Sequence, residues 1–161
     1  MILWRVATET KAYSADDLSG AGAARNPGRW NAATEPVVYC APTLAMAVLE
    51  TAAHIDDSGL PLNKFVVRIQ APDAVWAQRE EVSVAVLPVT WNAIPAGGGS
   101  VKFGSDWLAS LRTPILVLPS VIVPEESIVL IKSRHSAVTS ITARKLRRFE
   151  YNHLFRGGAL G

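Results

Sequence analysis

The chain has 161 residues, 49% hydrophobic and 19% charged, a balance that supports a packed core and excludes a disordered polypeptide. A net charge of +2 gives no general pull toward nucleic acid, and one cysteine, Cys40, excludes an internal disulfide framework and fits a reducing cytoplasm. No apolar run approaches the roughly 20 residues of a spanning helix, so no membrane location is expected.

The length fits one domain over 1–161, without repeats or a convincing linker. The opening "MILWRVATETKAYS" is broken by Arg5 and has no cleavable signal pattern; Ile2 to Ala7 within it reads as a strand. Residues 12–28 read as an irregular loop rich in Gly and Ala, and "EPVVYCA" (35–41) as a strand with a proline at its edge. Thr43 to Ile55 reads as a helix following Pro42. Its 3.6-residue spacing puts Leu44, Ala47, Val48, Thr51, Ala52 and Ile55 on one core-facing stripe. "KFVVRIQ" (64–70) and "VSVAVL" (82–87) read as strands, "IPAGGGS" (94–100) as a surface loop and "SDWLASL" (105–111) as a short helix. "PILVLPSVIVPEESIVLIK" (114–132) looks like two strands divided by turn signals, and a last strand falls within Thr142 to Tyr151. Many short strands with about two helices predict an α+β fold of mixed or antiparallel sheets. The segment "ARKLRRFEYNHLFR" holds five of the sixteen basic residues and reads as a solvated strand face.

Several residues stand out against this background. Glu50 interrupts an otherwise uncharged helix, beside the apolar stripe, with His54 four residues on and on the same face. Alone it fits a surface Glu–His pair as well as a carboxylate at the lip of a cleft. In "GRWN", Gly28 permits close approach, Arg29 offers a planar fork suited to phosphates, and Trp30 brings a large ring. A core tryptophan with a solvated arginine explains that run equally well. Arg5 follows Trp4 on a strand, so the two side chains face opposite ways. Tyr39 ends the strand that feeds the Glu50 helix, and Ser120 lies between the prolines of "LPSVIVP". Both have ordinary structural readings too. Metal-ligand spacing is missing, "AGGGS" lacks the Lys and Ser/Thr of a phosphate loop, and no G-x-S-x-G elbow occurs. Cys40, in an apolar strand, reads as core rather than nucleophile.

Taken together, "GRWN", "PVVYCA", the helix ending in "VLE" with a histidine four on, "GSDWL" and "LPSVIVP" resemble the RES domain, in its order and over nearly the whole chain. That family is named for signature Arg, Glu and Ser residues; its members are toxins paired with Xre-type helix-turn-helix antitoxins. The chain departs from the family pattern at Lys132-Ser133-Arg134-His135, where an Asn-Pro precedes a histidine, and at "EYNHLF", where an Asp-Pro-Arg-Leu ending is usual.

The resemblance implies a fold related to the ADP-ribosyltransferase toxins and a site of Arg5, Arg29, Tyr39, Glu50 and Ser120 that takes NAD as substrate, without a further cofactor or metal. Glu50 would stabilise the ribose cation, Arg5 and Arg29 would grip the pyrophosphate, Tyr39 would stack on the nicotinamide end, and Ser120 would bond the ribose or a phosphate. Trp30 and Asn31 would shape the loop, and His54 would support Glu50. Nicotinamide leaves neutral, so one carboxylate suffices where glycoside hydrolysis usually needs two. NAD degradation by hydrolysis or phosphorolysis is the first expectation, ADP-ribosylation of a protein the second. An RNA-cleaving toxin using the basic tail, or a non-catalytic interaction module, is a rival from another class. Specific DNA contact would come from the antitoxin, and a homodimer within the complex is compatible with the sequence.

Overall fold

Side-chain alternation along short strands sets the architecture, which a computed structural model describes for residues 1–56 and 58–155. The first half runs β1 (Ile2–Thr8), α1 (Ala21–Arg25), β2 (Val38–Cys40), α2 (Leu44–Ala52), β3 (Lys64–Gln70), α3 (Asp73–Trp76) and β4 (Glu80–Glu81). The second half runs α4 (Gly98–Ser110), β5 (Ile115–Pro119), β6 (Ser127–Ile131) and β7 (Thr142–Arg148). Two sheets result. One is antiparallel, in the order β1-β3-β7; the other runs β2-β6-β5-β4, antiparallel except for the parallel β4–β5 pair. The mixed α+β expectation holds.

The strand period of two sorts the core into layers. Leu3, Ala7, Val38, Cys40, Val67, Ile69, Ile115 and Val129 join the facing sides of the two sheets. Their neighbours Val37, Leu116, Leu118 and Leu130 point the other way and pack with Trp30, Trp91 and Trp107. On the outer side of β1, Val6 and Trp4 meet Met46 and Ala47 of α2 and Tyr151. Trp4 and Arg5 therefore do face opposite ways. The predicted stripe of α2 also holds, since Leu44, Val48, Ala52 and Ile55 line that cluster; Met46 joins it unannounced.

Four local expectations are corrected. Residues 82–87 form no strand: the 3₁₀ turn Val84–Val86 takes their place, and the edge strand is the preceding Glu80–Glu81 pair. Val84 and Val86 consequently point to solvent. The glycine-rich 94–100 segment is only partly a loop, because α4 starts at Gly98 and not near Ser105. The helix starts through glycines despite their low propensity, and at Gly99 the missing side chain leaves room for Pro88, which a Cβ would approach to 3.2 Å. Within the expected 12–28 loop, Ala21–Arg25 forms a helical turn. Finally, α2 stops at Ala52, with His54 and Ile55 continuing only in tightened turns. The basic segment behaves as a strand face, with Arg144, Arg147 and Arg148 exposed; its Arg156 lies outside the described residues. No helix among the described residues is long and apolar enough to cross a membrane.

Candidate active site

The α2 helix carries Glu50 toward the end of β5. Thr43 fixes the start of the helix, its side chain accepting the Met46 N–H at 3.1 Å. Two turns later Glu50 Oε1 accepts a 2.6 Å hydrogen bond from the Ser120 hydroxyl. Ser120 is fully buried, and its Oγ also accepts the backbone N–H groups of Ile122 (3.0 Å) and Val123 (3.1 Å). A serine hydroxyl has one proton and two lone pairs. All three are committed, so the Ser120 hydroxyl positions Glu50 and is not a free donor for substrate. His54 does not take the supporting role expected of it: it is exposed, and its side chain makes no hydrogen bond to Glu50.

The "GRWN" loop is built around Asn31. Its fully buried side chain accepts from Gly28 N and the Tyr39 hydroxyl, each at 2.8 Å, and donates to the carbonyls of Ala23, Ala32 and Glu35. The Tyr39 hydroxyl in turn accepts the Trp30 N–H at 3.0 Å. Burial pushes the pKa of this phenol well above its ordinary range, so it serves as a neutral hydrogen-bonding strut. Gly28 is required for the contact: a Cβ there would lie 2.7 Å from the Tyr39 oxygen. Trp30 is buried edge-on to Phe103 of α4, the scaffold role expected of it.

Arg29 projects from this loop and donates through Nη1 to the carbonyls of Trp91 (2.9 Å) and Ala93 (2.8 Å). Its Nε and Nη2 have no protein partner among the described residues. Partial burial lowers its pKa, opposed by the charge of Glu50 and then by Tyr39, so carboxylate and guanidinium share one electrostatic neighbourhood. Arg5 is placed differently. It lies against Cys40, on the side of β2 away from Tyr39, and Nη1 donates to the Asp17 carbonyl at 3.1 Å. Burial lowers its pKa, countered by Cys40, Asp17 and Tyr13. Cys40 itself is a buried thiol pushed up to about 12 by desolvation, as a core residue should be. Glu50, Ser120, Arg29 and Tyr39 are thus gathered, and Arg5 stands apart from them.

The RES domain family model matches residues 2–152. The chain belongs to the RES domain family. It is 49% identical over 149 residues to the Prs ADP-ribosylating toxin of Sphingobium sp. (strain YBL2), covering 92% of each chain. It is also 34% identical over 142 residues to Toxin Res of Pseudomonas putida (87% of this chain, 90% of the relative). To Toxin Res of Yersinia enterocolitica it is 30% identical over 139 residues (85% and 87%). It is a toxin of the RES family.

Three further residues shape this RES domain, of which Gly104 opens the "GSDWL" motif and Glu35 and Lys132 were not singled out as site residues. Gly104 of α4 has no room for a side chain, since a Cβ would fall 1.8 Å from the Trp30 carbonyl oxygen. Glu35 accepts the Ala32 N–H and the Ser105 hydroxyl, both at 2.7 Å, tying the loop to α4. Lys132 is buried at 1% exposure and donates to the Trp107 carbonyl at 2.7 Å, near the C-terminal end of α4. Desolvation brings it down to about 8. The "GSDWL" motif flags Gly104, whereas no local pattern flags Glu35 or Lys132.

Proposed function

We propose that this toxin cleaves the nicotinamide–ribose bond of NAD and transfers ADP-ribose to a protein. The observation that carries the reading is the 49% identity, over 92% of both chains, to a relative named for ADP-ribosylating Prs. It favours the second of the two sequence expectations over the first. The site supports it with one oriented carboxylate beside a guanidinium that keeps free donors.

In this reading the C1′–N bond breaks with its electron pair leaving on neutral nicotinamide. Glu50 stabilises the positive charge that develops on the ribose, and its orientation comes from Ser120. Arg29 holds a phosphate through Nε and Nη2 while Nη1 keeps its carbonyl partners. Tyr39 frames the nicotinamide end with its ring. The acceptor's nucleophile then attacks C1′ and gives up its proton to solvent. Glu50, Arg29 and Tyr39 form the reacting end, and Arg5 binds NAD further along. An antitoxin of the Xre type, implied by the resemblance, would silence the enzyme by covering this face.

The test is incubation of the purified chain with NAD labelled on its adenylate, with and without purified Prs. Label on Prs and equal release of nicotinamide are expected. Nicotinamide release without any labelled protein would support hydrolysis or phosphorolysis instead, with added phosphate separating those two.

A further inference from the structure

We propose that Ser100 is a positioning residue for Arg29: from the first turn of α4 it fixes the Trp91 carbonyl that aims the guanidinium. This rests on the reading of Arg29 as an anion-binding group given above. Ser100 closes the "AGGGS" run, already set aside as a phosphate loop, and it is fully buried. Its hydroxyl donates to the Trp91 carbonyl at 3.1 Å, and the same oxygen accepts Arg29 Nη1 at 2.9 Å. A carbonyl oxygen has two lone pairs, so these two bonds commit it.

The bonding of Arg29 gives the hydroxyl its role. Nη1 carries two protons, and the carbonyls of Trp91 and Ala93 take both. The guanidinium is planar, so two fixed acceptors at one nitrogen set the orientation of the whole fork. What remains is the Nε–Nη2 edge, which can meet two oxygens of one anion.

An arginine aimed in this way needs acceptors that stay in place, and α4 supplies the support. The turn that carries them is closed by Trp91 N–H to the Pro88 carbonyl (2.9 Å) and Ala93 N–H to the Thr90 carbonyl (3.0 Å). It lies against Gly99, where a Cβ would approach Pro88 to 3.2 Å and Thr90 Oγ1 to 3.4 Å. Ser100, Gly104 and Trp107 are the buried residues of α4, spaced four and three apart and therefore on one face. That face meets the Trp30 carbonyl at Gly104, one residue from Arg29, and the Trp91 carbonyl at Ser100. One helix thus holds both the loop that carries the guanidinium and the turn that receives it. Alanine forms helix better than serine and buries no hydroxyl, so packing alone would favour alanine at this position.

The test compares the parent with Ser100→Ala, Arg29→Lys and the double variant. It measures Tm, rotation of the Arg29 guanidinium by NMR of the side-chain nitrogens, and kcat/KM for NAD from nicotinamide release. The parent should show slow rotation, and Ser100→Ala should speed it several-fold with Tm little changed. In the same variant kcat/KM should fall about tenfold, and adding Ser100→Ala to Arg29→Lys should lower it little further. A serine that only supports the fold would lower Tm and leave the rotation unchanged. Ser100→Cys keeps the volume and a weak donor, so it should fall between parent and alanine, and it carries the comparison if Ser100→Ala folds poorly. Unchanged Arg29 rotation in both variants overturns the inference, as does an equal loss of kcat/KM with and without the arginine. A parent that restrains Arg29 through Ser100 yet releases no nicotinamide overturns the proposed function and leaves the positioning role standing.

Discussion

Ser120 and Glu50 are 70 residues apart in sequence and joined by a 2.6 Å hydrogen bond whose donor has no other proton to give. The serine reads the carboxylate's position from the end of β5 and two backbone N–H groups. Replacing Glu50 by Gln should leave folding intact and lower turnover by on the order of 10²–10³. Ser120→Ala should lower turnover less, by about tenfold, and cost about 1–3 kcal/mol of stability because two buried N–H groups lose their acceptor. If the serine acts through the glutamate, adding Ser120→Ala to Glu50→Gln should change turnover little further. Additive losses in steady-state nicotinamide release would assign Ser120 a separate role.

Tyr39→Phe separates the hydroxyl from the ring. The Trp30 N–H and the Asn31 side chain both lose a partner, so unfolding should become easier by about 1–3 kcal/mol in chemical denaturation. Turnover well below the melting transition should stay within a few-fold of the parent, because the ring is retained. A collapse of turnover with unchanged stability would instead make the hydroxyl a direct participant.

What the sequence disclosed follows from the range of each signal. The α2 stripe, the β1 and β3 strands and the "GRWN" anomaly are local patterns, and they reappear as local structure. The set of Glu50, Arg29, Tyr39 and Ser120 was found through a resemblance, since no spacing rule connects residues that meet only after folding. Misreadings came where distant packing decides. Gly98 to Ser100 looked like a loop because propensity disfavours glycine in a helix, whereas at Gly99 the missing side chain leaves room for Pro88, a residue no local pattern connects to it. His54 looked like a partner of Glu50 because the helical spacing is right, but a serine from another element holds that carboxylate.

Gly104→Ala should be among the most damaging single changes. The added methyl would overlap the Trp30 carbonyl oxygen at 1.8 Å, so α4 or the loop must shift. A loss of about 1–3 kcal/mol is expected from thermal unfolding, together with reduced nicotinamide release. Wild-type Tm in this variant would show that α4 does not press on the loop as described.

Lys132 gives a pH signature. Burial brings it to about 8 in the folded protein against 10.5 for an ordinary lysine, so the native state carries a penalty for the charged form below about 8. As pH rises from about 8 to 10.5 the unfolded chain holds the proton that the folded chain has released, and stability should rise across that window, by at most about 3 kcal/mol. Lys132→Met removes this group's contribution. Urea denaturation at pH 7.5 and 10 should therefore show a larger gain for the parent than for the variant; parallel curves would place the proton elsewhere.

The glycine at Trp30's back has a genetic consequence as well. A cell under attack from its own copy of such a gene is rescued by any lesion that silences the product. Selection for survivors should recover alanine at Gly104 and Gly28 alongside changes at Glu50, although neither glycine offers a side chain to the chemistry. The map of escape mutations would then trace the scaffold around the site as clearly as its centre.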